Sequence, residues 1–180
     1  IPLIRASDKV LKVIAFLLLL QPIELVYLII GAIDPSASPL DLGSLDHFNA
    51  VAVAQEHGSI FDVAIAGLRH GQQVNFLWAI ENGRLTQTIF FFLVGIMLGR
   101  RRLFYNEGNN LALWKKVLRG AAIAFVILVP LYYIVPKQFD SACISNSLNV
   151  MLNMWKNLSM MLMIVSGITL LYYQTDAKKW

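Results

Sequence analysis

Long apolar runs, separated by short polar or charged stretches, divide most of the chain into four predicted membrane spans. About 20 consecutive apolar residues form a helix long enough to cross the ~30 Å hydrocarbon core of a bilayer. Runs close to this length occupy residues 13–33, 84–100, 115–135 and 148–173. The pattern therefore predicts an all-α fold, a polytopic membrane helix bundle of about four transmembrane helices in one membrane domain, with the lipid bilayer as a partner.

The second run is uncharged from Leu85 to Gly99 and is closed by three arginines at positions 100–102. Cytoplasmic flanks of membrane helices collect Lys and Arg, so the triplet predicts that this helix ends in the cytoplasm. Gly95 and Gly99 form a small-xxx-small pair, which allows a second helix to approach closely. The run therefore predicts a span with a cytoplasmic end and a face suited to a neighbouring helix.

The first run is interrupted by polar residues and a proline, at Gln21, Pro22 and Glu24. Proline removes a backbone donor, so Pro22 predicts a kink in the helix. An ionisable side chain within a span is costly and usually faces the bundle interior or a wet cavity. Gln21 lies three residues before Glu24 and shares its helix face. Glu24 is therefore a candidate catalytic residue, and Gln21 a candidate ligand-binding residue.

The segment 34–83 is the only long polar-leaning region of the chain. Apolar residues at helical spacing, such as Phe61 and Ile65, predict short amphipathic helices at the membrane interface. We expect Gly58 and Gly71 to separate these helices. Because it joins the first two spans, the segment is predicted to lie on the extracytoplasmic side.

All three histidines of the chain, His47, His57 and His70, fall in this segment. Histidine can act as a general base near neutral pH. His70 lies at the expected break before Gly71 and is the candidate catalytic histidine, with a surface or capping role as the alternative. The sequence has no HExxH motif and no tight cluster at metal-ligand spacing, so no metal site is predicted.

The fourth run carries polar residues at spacings of three and four, among them Asn149, Asn153 and Lys156. Glu24 and Lys156 lie at similar depths, about 13 and 15 Å of helix from the outer ends of their spans. We therefore hypothesise that Glu24 faces this stripe and that the residues line a polar, ligand-binding cavity open to the outside. A structural ion pair or a protonated glutamate is the alternative.

Composition and charge support a membrane protein. Of the 180 residues, 57% are hydrophobic and 14% are charged, whereas an ordinary soluble domain is about half apolar and about a quarter charged. The net charge of +4 comes from basic residues at the ends of apolar runs rather than from a solvated patch, so no nucleic-acid partner is predicted. The single cysteine, Cys143, excludes an internal disulfide and is predicted to lie in the short loop 137–146 between the third and fourth spans.

The basic residues also predict the topology. Eleven of the 15 lie at ends proposed as cytoplasmic, and these are Arg5, Lys9, Lys12, Arg100, Arg101, Arg102, Lys115, Lys116, Arg119, Lys178 and Lys179. Four spans with both chain ends in the cytoplasm satisfy the positive-inside tendency.

Three stretches together resemble a known family. The stretch ENGRLTQTIFFFLVGIMLGRRRLF contains Val94-Gly95, Leu98-Gly99-Arg100 and Leu103-Phe104, and it is similar to a recurring element of the YeiB-like bacterial membrane proteins, a family of unknown function. LLLLQPIE at 17–24 and HGSIFDV at 57–63 resemble the helix upstream of that element and the loop between them. The resemblance covers roughly residues 17–104, and the fourth span follows in order.

The resemblance implies a setting and an activity. YeiB-like proteins lie in the bacterial cytoplasmic (inner) membrane and have more than four spans. Two of their elements, an Asp-x-x-Arg-Gly type and a Gly-Arg-x-x-Leu-Thr-Asn-Tyr-like stretch, do not occur here. The chain therefore resembles a section of such a protein, with the remaining helices of a longer parent, or further copies of itself, as partners.

By fold-level similarity the family is grouped with membrane acyltransferases that act on carbohydrate or envelope acceptors. The resemblance implies acyl-coenzyme A as a possible donor, His70 or Glu24 in proton transfer, and Arg100 and Arg101 on a donor phosphate. Two other functions stay open, which are transport or ligand binding through the intramembrane cavity, and a structural or regulatory helix bundle. Dependence on an acyl donor distinguishes the first, and coupled flux of a solute or proton distinguishes the second.

Overall fold

A computed structural model of the chain describes residues 6–105 and 109–174, and this part contains helices and no β-strand. The α-helices are α1 (Asp8–Leu19), α2 (Pro22–Ile33), α3 (Ser44–His57), α4 (Ile60–Glu81), α5 (Arg84–Arg100), α6 (Asn110–Ile134) and α7 (Ala142–Gln174), with a 3-10 turn at Val135–Gln138. The predicted all-α fold is confirmed. Arg5, Lys178 and Lys179, which the sequence assigns to the cytoplasmic side, lie outside the described residues.

Within the described residues, three segments are long and apolar enough to cross a membrane. They are Asp8–Ile33, which comprises α1 and α2, then Asn110–Gln138 and Ala142–Tyr173. Helix α5 begins and ends at the predicted residues, but it has only 17 residues. Helix α7 is longer than predicted because it begins at Ala142, so Cys143 lies in its first turn rather than in a loop. The Cys143 side chain is buried and its Sγ lies 3.2 Å from the carbonyl oxygen of Tyr27.

The first span is broken rather than kinked. Helix α1 ends at Leu19, and Gln21 adopts a left-handed conformation with φ of 51° before α2 begins at Pro22. Proline cannot donate the i→i−4 hydrogen bond but fits the first turn of a helix, so a new helix starts there. Helix α7 holds this break, because Trp155 Nε1 donates to the carbonyl oxygen of Leu19 at 3.0 Å.

Within residues 34–83, the two helices α3 and α4 form a hairpin and pack along each other. Gly58 ends α3 as expected, but Gly71 lies inside the continuous 22-residue helix α4. The prediction of a break at Gly71 is wrong because one glycine costs a helix interior only about 1 kcal/mol. Ser59 and Asp62 form a capping box that starts α4.

Glu81, at the end of α4, forms hydrogen bonds that join the two ends of the hairpin. Its Oε1 accepts the backbone N–H of Leu42 at 2.6 Å and that of Ser44 at 3.2 Å, and its Oε2 accepts the Ser44 hydroxyl. These bonds satisfy donors at the start of α3 that have no partner within the helix. The beginning of α3 therefore lies beside the end of α4.

The bundle core lies between α1, α5 and α7. Its buried cluster consists of Leu11, Ala15, Phe90, Leu93 and Met154. Helix α7 packs along α6 and along α2, and α1 packs against α5. The short connection after α5 is held at one end of the bundle, where Trp114 Nε1 donates to the carbonyl oxygen of Leu103 at 2.7 Å and Tyr173 donates to that of Phe104 at 2.7 Å.

Candidate functional site

The polar residues at the break between α1 and α2 face α7. Gln21 and Glu24 are 2% and 3% exposed, so both are buried within the bundle. Gln21 Nε2 donates to the carbonyl oxygen of Met151 at 3.2 Å, and the Glu24 carboxyl group is hydrogen-bonded to the side chain of Ser147. The predicted shared face of Gln21 and Glu24 is therefore present, and it contacts one face of α7.

The structure does not bring Glu24 to Lys156. Ser147, the partner of Glu24, precedes Lys156 by nine residues on α7, which is about two and a half helical turns and about 13 Å of axis. The side chains of Ser147 and Lys156 therefore project from opposite faces of α7. Lys156 Nζ instead lies 3.8 Å from the centroid of the Tyr132 ring on α6.

The rest of the predicted stripe also points away from Glu24. Asn149 lines a surface recess of about 520 Å³ with Tyr132 and Lys137, where α6 ends and α7 begins. Asn153 accepts a hydrogen bond from Asn157 Nδ2 at 3.3 Å on α7 itself. The predicted depth match is wrong because α7 begins at Ala142, earlier than expected, so Glu24 lies level with Ser147 rather than with Lys156. The spacing in the sequence also carried no information about the rotation of α7.

A different polar recess lies where α5 begins, and we call it the α5–α7 recess. It has a volume of about 510 Å³ and is lined by Arg84, Gln87, Asn157, Met160, Met161, Ile164 and Val165. Arg84 Nη1 donates to Gln87 Oε1 at 3.1 Å, and the Arg84 guanidinium lies 5.9 Å from the centroid of the Trp78 ring. One end of the recess is therefore polar and basic, and the other is apolar.

The start of α5 adds to the positive character of this recess. Gly83 precedes the helix with φ of 63°, and no side chain caps its N-terminus. The N-terminus of a helix carries about half a positive charge. Lys156 lies within electrostatic range of Arg84, and no acidic side chain lines the recess.

Gly83 also brings two backbone segments into close approach. A Cβ atom at this position would lie 2.7 Å from Val150 Cγ1 and 3.3 Å from Gln21 Oε1. Gln21 Oε1 is buried and has no hydrogen-bond partner among the described residues. A buried acceptor therefore lies beside the start of α5, next to the recess.

The two candidate catalytic residues are far apart. His70 is inside α4 rather than at a break, and 11 residues separate it from Glu81 at the end of that helix, a distance of about 16 Å. The start of α5 follows Glu81 in the chain, and Gln21 lies beside that start rather than beside His70. Glu24 and His70 therefore do not form one acid–base pair.

His70 has a partner that the sequence did not predict. His47 Nδ1 on α3 and His70 Nδ1 on α4 are 3.0 Å apart, with ring centroids at 5.2 Å. His47 lies 11 residues before Gly58, and His70 lies 11 residues after Ser59. This symmetry about the turn was the signal available in the sequence, because residues equidistant from a hairpin turn lie side by side. His57, in contrast, is exposed beside Glu56.

Arg100 and Arg101 lie at the opposite end of α5. Arg100 Nη1 donates to the carbonyl oxygen of Ala6 at 2.8 Å and to Asp8 Oδ1 at 3.0 Å, and Arg101 Nε lies 3.8 Å from Asp8 Oδ2. Sixteen residues separate Arg84 from Arg100, about 24 Å of helix. These arginines tie α5 to α1 and do not contribute to the recess.

The described part of the chain contains no group of three or more His, Cys, Asp or Glu side chains that could hold a metal ion. Comparison of the chain with protein-family models, curated proteins and solved structures finds no match in any of the three. What the described residues show is a helical fold with three helices long and apolar enough to cross a membrane.

Proposed function

We propose that the chain is part of a membrane protein that binds an anionic amphiphile in the α5–α7 recess. The observation that carries this proposal is the division of the recess into a polar, basic end and an apolar wall. Arg84, Gln87 and Asn157 form the polar end, and the wall is formed by Met160, Met161, Ile164 and Val165. Its volume of about 510 Å³ is within the usual range for a small-molecule site.

The polar side chains of the recess are suited to binding rather than to proton transfer. Arginine stays protonated, and the amides of Gln87 and Asn157 donate and accept hydrogen bonds without titrating. A guanidinium group binds carboxylate or phosphate through two parallel hydrogen bonds. The ligand therefore carries a carboxylate or phosphate at Arg84, with its acyl or alkyl chain against the methionines.

The proposed membrane setting puts the recess below the outer surface. We propose four crossings, with α5 as the second, both chain ends in the cytoplasm of a bacterial inner membrane, and residues 34–83 extracytoplasmic. Asp8 and Arg100 then mark the inner boundary, as their ion pair and the nearby lysines Lys9 and Lys12 suggest. Gln21, about 20 Å along α1 from Asp8, lies inside a ~30 Å core, so the ligand enters from the outer leaflet.

The test is photo-crosslinking of the full chain in lipid nanodiscs with a diazirine-bearing palmitic acid and with the matching uncharged alcohol. We expect the acid to label the peptide containing Met160 and Ile164 more than the alcohol does. Arg84→Gln is expected to lower labelling by the acid about tenfold, because it removes the charged hydrogen bonds. Arg69→Gln, on the exposed surface of α4, is the matched control. Equal labelling by acid and alcohol, or no effect of Arg84→Gln, would contradict the proposal.

Acyl transfer is the second candidate, and the His47–His70 pair favours it. A hydroxyl acceptor that attacks an acyl thioester forms an ester and releases a thiol, and the hydroxyl proton passes to a base. His70 is suited to that role on the extracytoplasmic side. The resemblance to YeiB-like proteins points to acyl-coenzyme A as a cytoplasmic donor, so the acyl group must first cross the membrane, as a thioester, to reach the outward acceptor. The longer parent protein and further copies of the chain remain the proposed partners.

Inverted membrane vesicles containing the longer parent protein, supplied with labelled acetyl-coenzyme A, test this second function. Label on an envelope or carbohydrate acceptor, lost in His70→Ala at equal protein level, is the expected result. Glu24→Gln serves as the comparison, because Glu24 lies apart from His70 and its hydrogen bond to Ser147 is structural. No transfer from several acyl donors would leave ligand binding or transport, and the absence of both would leave a structural or regulatory bundle.

A further inference from the structure

We infer that His47 and His70 form a zinc-binding site that joins α3 to α4. The two residues lie on facing helices of the extracytoplasmic hairpin, with their Nδ1 atoms 3.0 Å apart. This inference is independent of the proposed amphiphile site, which lies beyond the end of α4, where α5 begins.

The separation of the two nitrogens is close to that of two zinc ligands. Zinc binds imidazole nitrogen at about 2.0–2.1 Å with tetrahedral geometry, so two nitrogens on one ion lie about 3.3 Å apart. The observed 3.0 Å requires only a small outward shift of each ring. Both imidazoles are half-buried, which reduces the conformational entropy that they lose when they bind an ion.

Without an ion, the pair makes a weak contact. One Nδ1 must donate and the other must accept, and this is the only hydrogen bond of either ring within residues 6–105 and 109–174. A bound Zn²⁺ would replace it with two coordinate bonds from neutral imidazoles, a ligand type that zinc favours. No other zinc ligand in the described residues joins the pair, so water or a ligand oxygen completes the coordination.

The charges nearby do not compete for these nitrogens. Asp46 and Arg69, the charged neighbours in sequence, are exposed, and neither makes an ion pair with His47 or His70 among the described residues. The site therefore supplies two protein ligands and leaves two of the four tetrahedral positions of zinc to water or another exchangeable ligand.

Calorimetric titration with Zn²⁺ alone tests the site, using the full chain in detergent after chelator treatment and an affinity tag without histidine. We expect one Zn²⁺ per chain, and a loss of at least about tenfold in affinity in His47→Gln and in His70→Gln, because one imidazole alone cannot chelate the ion. His57→Gln, in the same segment but without a histidine partner, is the matched control and should bind Zn²⁺ as the wild type does.

A second measurement does not depend on the folding of the variants. Wild-type protein with one equivalent of Cu²⁺ should give an electron paramagnetic resonance spectrum with superhyperfine splitting from two equivalent ligand nitrogens. Imidazole is a suitable ligand for copper as well as for zinc. The inference is overturned if the wild type binds no Zn²⁺, if all three single variants bind it equally, or if the copper spectrum shows one nitrogen only.

Discussion

At the scale of single residues, Gln21 combines a left-handed backbone with a buried side chain. Its φ of 51° lies in the left-handed region, which costs a residue other than glycine about 1 kcal/mol or more. The side chain offsets this cost, because Nε2 donates to the carbonyl oxygen of Met151 within the buried bundle. The side-chain hydrogen bond therefore stabilises Gln21 at this position, and the backbone preference of glutamine does not.

This balance predicts a ranking of two substitutions at Gln21. Gln21→Ala loses the hydrogen bond and keeps the strained φ, whereas Gln21→Gly loses the bond but relieves the strain. We expect both variants to be less stable than the wild type, with Gln21→Gly the more stable of the two by about 1 kcal/mol. Equilibrium unfolding of the full chain in mixed micelles measures the difference, and a glycine variant no more stable than the alanine variant would contradict it.

Glu81 carries a second prediction at this scale. Its carboxylate accepts two backbone N–H groups and the Ser44 hydroxyl, and hydrogen bonds to a charged acceptor are worth about 1.5–3 kcal/mol each. Glu81→Gln weakens these bonds while keeping the side-chain shape. We expect the amides of Leu42 and Ser44 to exchange with deuterium at least about tenfold faster. Glu56→Gln, an exposed change near the other end of α3, should leave those rates unaltered.

At the scale of elements, the start of α4 is sensitive to acid. Hydrogen bonds from the Ser59 hydroxyl, and then from its backbone N–H, lower the pKa of Asp62 below its usual value. A carboxyl group whose pKa is lower in the folded state stabilises that state above the unfolded pKa, and this contribution is lost as pH falls through the folded pKa. The first turn of α4 should therefore be stable at neutral pH and fray below about pH 4.

Hydrogen exchange of the first-turn amides of α4 against pH measures this effect. In Ser59→Ala the hydroxyl bond is absent, so exchange should already be faster at neutral pH and should change less on acidification. Ser36→Ala is a matched control, because Ser36 makes the same type of bond to Asp34 outside the hairpin. An unchanged pH profile in Ser59→Ala would show that the capping box does not govern the start of α4.

The elements also show what the sequence could and could not predict. The arginine triplet marked the end of α5 in the sequence, whereas its start at Arg84, after Gly83, lies later than its short uncharged run implied. Pro22 indicated the interruption of the first span. The position of the break at Gln21 depends on hydrogen bonds from α7, which have no local signal in the sequence. Gly71 was misjudged because a long helix with packing along its length tolerates one glycine.

The candidate site shows the same limit. The sequence placed Glu24 and Lys156 at comparable depths because the start of α7 was predicted too late, and Glu24 instead lies level with Ser147. The rotation of α7 is set by its packing against α2 and α6, and it directs Lys156 towards Tyr132 on α6. Arg84 and Gln87 lie at the edge of an apolar run. At such an edge the sequence does not distinguish a polar residue that flanks a membrane span from one that binds a ligand. The His47–His70 pair could be found only by placing the turn at Gly58 correctly.

At the scale of the whole molecule, the proposed topology can be tested by cysteine labelling, but not at the native cysteine. A loop position was expected for Cys143, yet its side chain is fully buried in the first turn of α7, so a membrane-impermeant maleimide would miss it on either side. Cys143→Ala removes the thiol with a change of a few atoms. Single cysteines introduced into that background then report on each side of the membrane.

Gln55 on α3 and Lys115 on α6 are suitable positions because both side chains are exposed and they lie on opposite sides in the proposed topology. We expect Gln55→Cys to label with impermeant maleimide in intact cells, and Lys115→Cys to label only after permeabilisation. The reason lies in the span count, since three crossings without α5 would put the hairpin and the start of α6 on the same side of the membrane. Labelling of both positions under one condition would therefore mean that α5 does not cross the membrane, whereas opposite behaviour requires α5 to cross it in addition to the other three spans, despite its 17 residues.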